Sequence, residues 1–92
     1  MAAARHGVAI DLPRLAEELG RLHSALKGET TGTREQDKAV VAVADAEEAA
    51  SKGDGSGALQ HLKRAGGWAL GVAERIGVTV AAKAIEKAML GQ

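Results

Sequence analysis

Five leucines, Leu12, Leu15, Leu19, Leu22 and Leu26, recur at spacings of 3, 4, 3 and 4 residues. Only a helix of 3.6 residues per turn gathers such positions onto one side, so the spacing predicts a helix with a single apolar ridge. The flanks agree. Asp11 offers a side-chain acceptor at the helix start, and Pro13 falls in the first turn, where a missing N–H costs nothing. Glu17 and Arg21 stand four apart, in the order that favours a surface pair. Two heptads fall short of a free-standing coiled coil, so the ridge reads as the seam of a bundle or a short dimer interface, with the bundle seam favoured.

The rest of the chain has little bulk to set against that ridge. Of its 42 hydrophobic residues 20 are alanine; Phe and Tyr are absent and Trp68 is the only aromatic. A single domain of this size buries only about 60–65% of its unfolded surface. Small side chains make the core marginal for a lone monomer, which favours association with another surface.

Glycine-rich segments punctuate the chain beyond Lys27. After "GETTG", the run Thr33-Arg34-Glu35-Gln36 reads as a capping box, and Glu35 and Asp37 suit the positive end of a helix over residues 34–52. Its apolar arc is mostly alanine with Val40 and Val43. "GDGSG" then ends this helix at Gly53 and supplies Asp54 or Ser56 as the next cap. The same loop could hold an anion on free amides, but it lacks a preceding strand and the lysine of a P-loop, so it reads as a connector.

At 100° per residue, a third helix over residues 56–76 gathers Lys63, Arg64, Glu74 and Arg75 into a polar sector of about 120°. Leu62, Trp68, Leu70, Val72 and Ile76 share an apolar arc of roughly 200°, wide enough for a central helix covered from two sides. Continued past Gly77, the same phase would bury Lys83, Glu86 and Lys87 against the core, which is unfavourable. A turn at Gly77, with Val78 making the accompanying apolar contact, releases those charges. Val80, Ile85 and Met89 then line the face of a separate fourth helix, over residues 79–90. Gly66, on the apolar side, is expected to admit a close neighbour.

Membrane crossing is excluded for the segment 61–90. Its longest uncharged run, "AGGWALGVA", has nine residues, against about 20 needed to span a bilayer. Gly67 and Gly71 form a G-x-x-x-G pair, but in the polar sector. Twelve basic residues balance twelve acidic ones, 6 against 7 up to Ala46 and 6 against 5 beyond it. No basic face for nucleic acid is suggested, and attraction to anionic lipid is weak. There is no cysteine and no apolar core of signal-peptide length at the start, so a cytoplasmic setting is expected.

Candidate chemistry is sparse. His6, His23 and His61 have no metal-ligand spacing, and His61 is expected at the core edge, bonded to backbone. "DAEEA", with Asp45, Glu47 and Glu48, spreads around its helix and reads as a solvated face. No catalytic, cofactor-binding or metal-binding residues are assigned, and the chain is read as non-enzymatic. Trp68 can bury its ring and expose its N–H, as a core anchor or an interface hot spot.

The stretch "AVVAVADAEEAASKGDGSGALQHLKRAGGWALGVAERIGVTVAAKAIEKAML" joins an alanine- and acid-rich helix, a Gly-Asp loop, Ala-Leu-x-x-Leu-Lys, Gly-x-Trp-Ala and Ile-Gly-Val. Over about residues 39–90 it resembles a small alanine-rich helical module at the C-termini of uncharacterised bacterial proteins, often actinobacterial, some linked to phage-defence or conflict systems. The resemblance implies an accessory interaction domain, with Trp68 and the Gly77 turn as fixed points, and it brings no catalytic residues.

The expected fold is all-α, a small four-helix bundle or two helical hairpins: a single domain over residues 12–92 behind a flexible segment, 1–11. The expected function is an interaction module that homo-oligomerises, with a dimer favoured, or that docks a partner protein. Its contact surface is expected to include Trp68, Leu62, Leu70, Val72, Ile76, Ile85 and Met89. The alternative is a peripheral membrane-active protein that lays the faces of residues 59–89 on lipid.

Overall fold

The computed structural model describes residues 10–90, so most of the expected flexible segment lies outside the described residues. The chain is all-α, with five helices among those residues rather than four: α1 Leu12–Glu29, α2 Arg34–Ser51, α3 Gly55–Leu62, α4 Gly66–Ile76 and α5 Thr79–Met89. α1 and α2 form the most extensive pairing. α3 lies on α2 and α5, and α4 packs against α5, α1 and α2. The body measures 47 × 22 × 22 Å. The short helices lie alongside the α1–α2 hairpin: the start of α3 meets Leu12 at one end of α1, and the end of α4 reaches Glu29 at the other. No helix among the described residues is long and apolar enough to cross a membrane.

The leucine ridge becomes the core. Leu15, Leu19, Leu22 and Leu26 are completely buried, with Leu12 half-buried at the end. α2 meets them with Ala39, Ala42, Val43, Ala46 and Ala50. Large side chains on one helix and methyl groups on the other let two axes approach closely while the ridge still fills the space between them.

Local signals set the helix starts. Asp11 Oδ1 accepts from the Arg14 amide at 3.1 Å, and Asp54 Oδ1 from the Gly57 amide at 2.8 Å. Thr33 Oγ1 accepts from the Gln36 amide at 3.2 Å, but only half of the expected capping box forms. Instead of returning to Thr33, Gln36 Oε1 accepts from the Thr31 amide at 2.8 Å and from the hydroxyls of Thr31 and Thr30. That acceptor ties down the α1–α2 loop, where the Gly32 amide also donates to Thr30 Oγ1 at 3.1 Å.

The Gly77 turn forms as expected. Gly77 has φ +82°, the Val78 amide donates to Ala73 O at 3.1 Å, and the Gly77 amide donates to Glu74 O at 3.3 Å. This is the paired Schellman pattern, completed by a fully buried Val78. The continuous helix over 56–76 is corrected. α3 stops at Leu62, tightened by bonds from Arg64 N to His61 O and from Ala65 N to Leu62 O, and the chain turns through Gly66 at φ +79°. The 200° arc was therefore two narrower arcs on separate helices. Gly66 also has a different role from the one expected: a Cβ there would meet nothing within 4 Å, so the glycine serves backbone conformation and not close approach.

This separates four glycines by sign. Gly66→Ala and Gly77→Ala should each destabilise by about 1 kcal/mol through the left-handed backbone alone. Gly67→Ala and Gly71→Ala, exposed within α4 at positions where an added Cβ also has open space, should each stabilise by roughly 0.5–1 kcal/mol. Urea denaturation of the four variants checks this; a stabilised Gly66→Ala would contradict the turn.

The expected Glu17–Arg21 pair is not formed. Among the described residues, the ion pairs are Arg14–Glu18, Glu48–Lys52 and Glu29–Arg75. The last is bidentate, at 2.6 and 2.7 Å, and fastens the end of α4 to the end of α1. Hydrogen bonds from the Arg75 guanidinium hold the Glu29 carboxyl below its ordinary value of 4.5, and Glu29 in turn raises Arg75. A carboxyl lowered in the folded state contributes stability above its unfolded value. That contribution is lost as pH falls from about 4.5 through the lower folded value. The stability gap between wild type and Glu29→Gln should accordingly be level near neutrality and close in acid. A gap that widens on acidification would contradict the assignment.

Candidate interaction site

The turn at Gly66 sets Trp68 in the first turn of α4, beside the N-terminal half of α2. Two adjoining grooves result. One, of about 610 Å³, runs between Gln36 and Lys38 on one side and Ala65, Gly67 and Trp68 on the other. The second, of about 560 Å³, follows α2 past Lys38, Val41, Ala42 and Asp45. Lys38 and Arg64 line both. The Arg64 guanidinium lies 3.2 Å from Nδ1 of His61. Since arginine can only donate, Nδ1 accepts, which fits an imidazole carrying its proton on Nε2. His61 is thus half-buried and bonded to a side chain, not to the backbone as expected.

The expected contact residues divide into two groups. Leu62, Val72 and Ile85 are fully or almost fully buried inside the chain itself. Trp68, Leu70 and Ile76 are half-buried, packed against the core from outside, and Met89 is 47% exposed. By helical phase Trp68 and Leu70 flank opposite edges of the buried face of α4, Ala69–Val72–Ala73, so they do not share one patch. The wide apolar arc expected over residues 56–76 is largely covered once α3 and α4 are separate. Of the seven residues, Trp68 lines the first of these two grooves.

Other features escaped the sequence reading. Val41 is 58% exposed in the middle of α2, flanked by charged residues. Its position was legible, because residues 34, 38, 41, 45 and 48 repeat at 4, 3, 4, 3, the same period as the leucine ridge but with charges at four of the five places. Glu18 is the one buried charged residue among those described. Its Oε2 accepts from Arg14 Nε at 3.0 Å and its Oε1 from the Ala81 amide at 2.9 Å. Both oxygens are engaged, and Glu18 lines neither groove. Its task is to cap α5, whose cap position, Val78, has no side-chain acceptor of its own. No group of three or more metal-ligating side chains converges among the described residues. The grooves offer an indole, aliphatic floor and both signs of charge, a set suited to holding polypeptide. No protein-family model, curated protein or solved structure matches the chain.

Proposed function

We propose that the chain is a non-enzymatic helical interaction module, working in the cytoplasm, that self-associates or docks a partner protein. The observation that carries this reading is Trp68: the only aromatic residue, half-buried, in a groove that α2 helps to line. Tryptophan contributes unusually large contact energy when a partner completes its burial. The accessory role implied by the resemblance over residues 39–90 agrees with a domain built for contact. Lipid is the weaker occupant, because α4 and α5 place Ala69, Val72, Ala81, Ile85 and Ala88 against their own chain, leaving no broad apolar face for a bilayer. Nucleic acid is disfavoured by the balanced charge.

Molar mass by light scattering, for wild type and Trp68→Ala across micromolar to millimolar concentration, tests the reading, with circular dichroism to check folding. Self-association of the wild type is the expected result, and weaker association of a folded Trp68→Ala protein would place Trp68 at the contact. A folded variant that assembles as well as wild type removes Trp68 from the contact. Flotation of the folded protein with anionic vesicles at moderate salt would favour lipid instead.

A further inference from the structure

We infer that α2 is a self-complementary docking stripe whose partner is a second copy of the chain, laid antiparallel across it with Val41 at the two-fold axis. This inference rests on the interaction-module reading and names its partner. Arg34, Lys38, Val41, Asp45 and Glu48 are all exposed, and at 100° per residue they fall within about 80° of one another, opposite the buried Ala39–Val43–Ala46–Ala50 face. The stripe is basic toward its N-terminus, apolar at the centre and acidic toward its C-terminus.

An antiparallel copy reverses that order. Centred on Val41, position 34 lies opposite position 48 and position 38 within one residue, about 1.5 Å along the axis, of position 45, so each cation meets a carboxylate while the two valines meet each other. Lys38 and Asp45 also fall on the same flank of the stripe. A two-fold axis perpendicular to the helix preserves the flank, which brings them together. Asp37 is level with Asp45 of the second copy but lies on the other flank, beside Ala44, and so escapes a clash with it. Among the described residues Arg34, Lys38 and Asp45 have no ion-pair partner within their own chain, while Glu48 reaches Lys52 at 3.1 Å. A closed two-fold dimer is the commonest way to satisfy such a surface.

One helix against one helix falls short of the ~800 Å² per partner typical of stable complexes. The dimer is therefore weak and strongly salt-dependent, since exposed pairs are screened beyond about 10 Å at 0.1 M salt. Sedimentation equilibrium should show a monomer–dimer equilibrium at low ionic strength, weakened at least about tenfold by 0.5 M salt.

The decisive variants are Arg34→Glu with Lys38→Glu, making the stripe acidic, and Asp45→Lys with Glu48→Lys, making it basic. Each alone should associate at least about tenfold more weakly than wild type. An equimolar mixture should regain association as a heterodimer. Val41→Glu, a single change at an exposed site, provides an independent disruption should either double variant fail to fold by circular dichroism. If wild type associates and these variants, including Val41→Glu, associate equally well, the stripe is refuted while self-association stands, and Trp68→Ala then locates the contact. If the mixture associates no better than its components, the antiparallel pairing is refuted. If wild type stays monomeric to about 1 mM at low salt, where even weak pairs should register, this inference falls and the module reading survives only with a different protein as partner.

Discussion

Leu19→Ala should destabilise the protein by about 3 kcal/mol, the range seen when a fully buried leucine leaves a cavity that its neighbours only partly fill. Leu19 is completely buried at the middle of the α1 ridge, and the helix facing it offers chiefly alanine. Methyl groups cannot swing in to occupy the space as longer side chains do, so little relaxation is available. Domains of this size have a total stability of roughly 5–14 kcal/mol, and a core this poor in large residues belongs near the lower end. The variant should therefore show a large fall in its urea midpoint, with Leu12→Ala, half-buried at the ridge's end, losing about 1 kcal/mol. A loss below about 1 kcal/mol for Leu19→Ala would show that the ridge is not the tightly packed centre.

The second large effect belongs to Glu18. Glu18→Ala strips the acceptor from the buried Ala81 amide and leaves Arg14 unpaired. An orphaned buried donor and a lost charge-assisted bond together point to about 2–3 kcal/mol. Most of the damage should fall on α5, whose first turn has no other side-chain cap. Glu18→Gln keeps an oxygen for the amide and loses only the ion pair to a largely exposed arginine, so it should lose about 1 kcal/mol or less. Hydrogen exchange gives the sharper readout. The Ala81 amide should be protected in wild type and in Glu18→Gln, and exchange through local opening in Glu18→Ala. Equal protection in all three proteins would remove Glu18 as the cap.

The effects differ in how far they could be anticipated. The ridge of α1 was legible because its period and its residue type agree: five leucines at 3 and 4 spacing admit no other regular structure. The Gly77 turn was legible for a related reason, since charges on both sides of it fix the helical phase and the phases conflict. Gly66 carries no such conflict. Its neighbours are small or apolar in either phase, and Lys63 and Arg64 remain on the polar side whether or not the chain breaks, so periodicity cannot see the turn.

Side-chain pairing shows the same boundary. Asp11, Thr33 and Asp54 find the amides expected of them because a cap bonds two or three residues away, within reach of local sequence. Glu18 bonds an amide 63 residues away. By helical phase Glu18 lies about 80° from the centre of the leucine ridge and Glu17 about 180° from it, so the period puts Glu18 at the ridge's edge but names no partner for it. The order of charges favoured the Glu17–Arg21 pair that does not form, and the amide that Glu18 bonds depends on where α5 starts relative to α1. The sequence by itself determined that the chain is helical, where most helices begin, and which ridge becomes the core, since these follow from local caps and from the 3.6-residue period. The tertiary structure alone decided that Glu18 is buried as a cap, that Leu62, Val72 and Ile85 belong to the interior, and that Trp68 stands in a groove, because each depends on which surfaces the turns at Gly66 and Gly77 bring together.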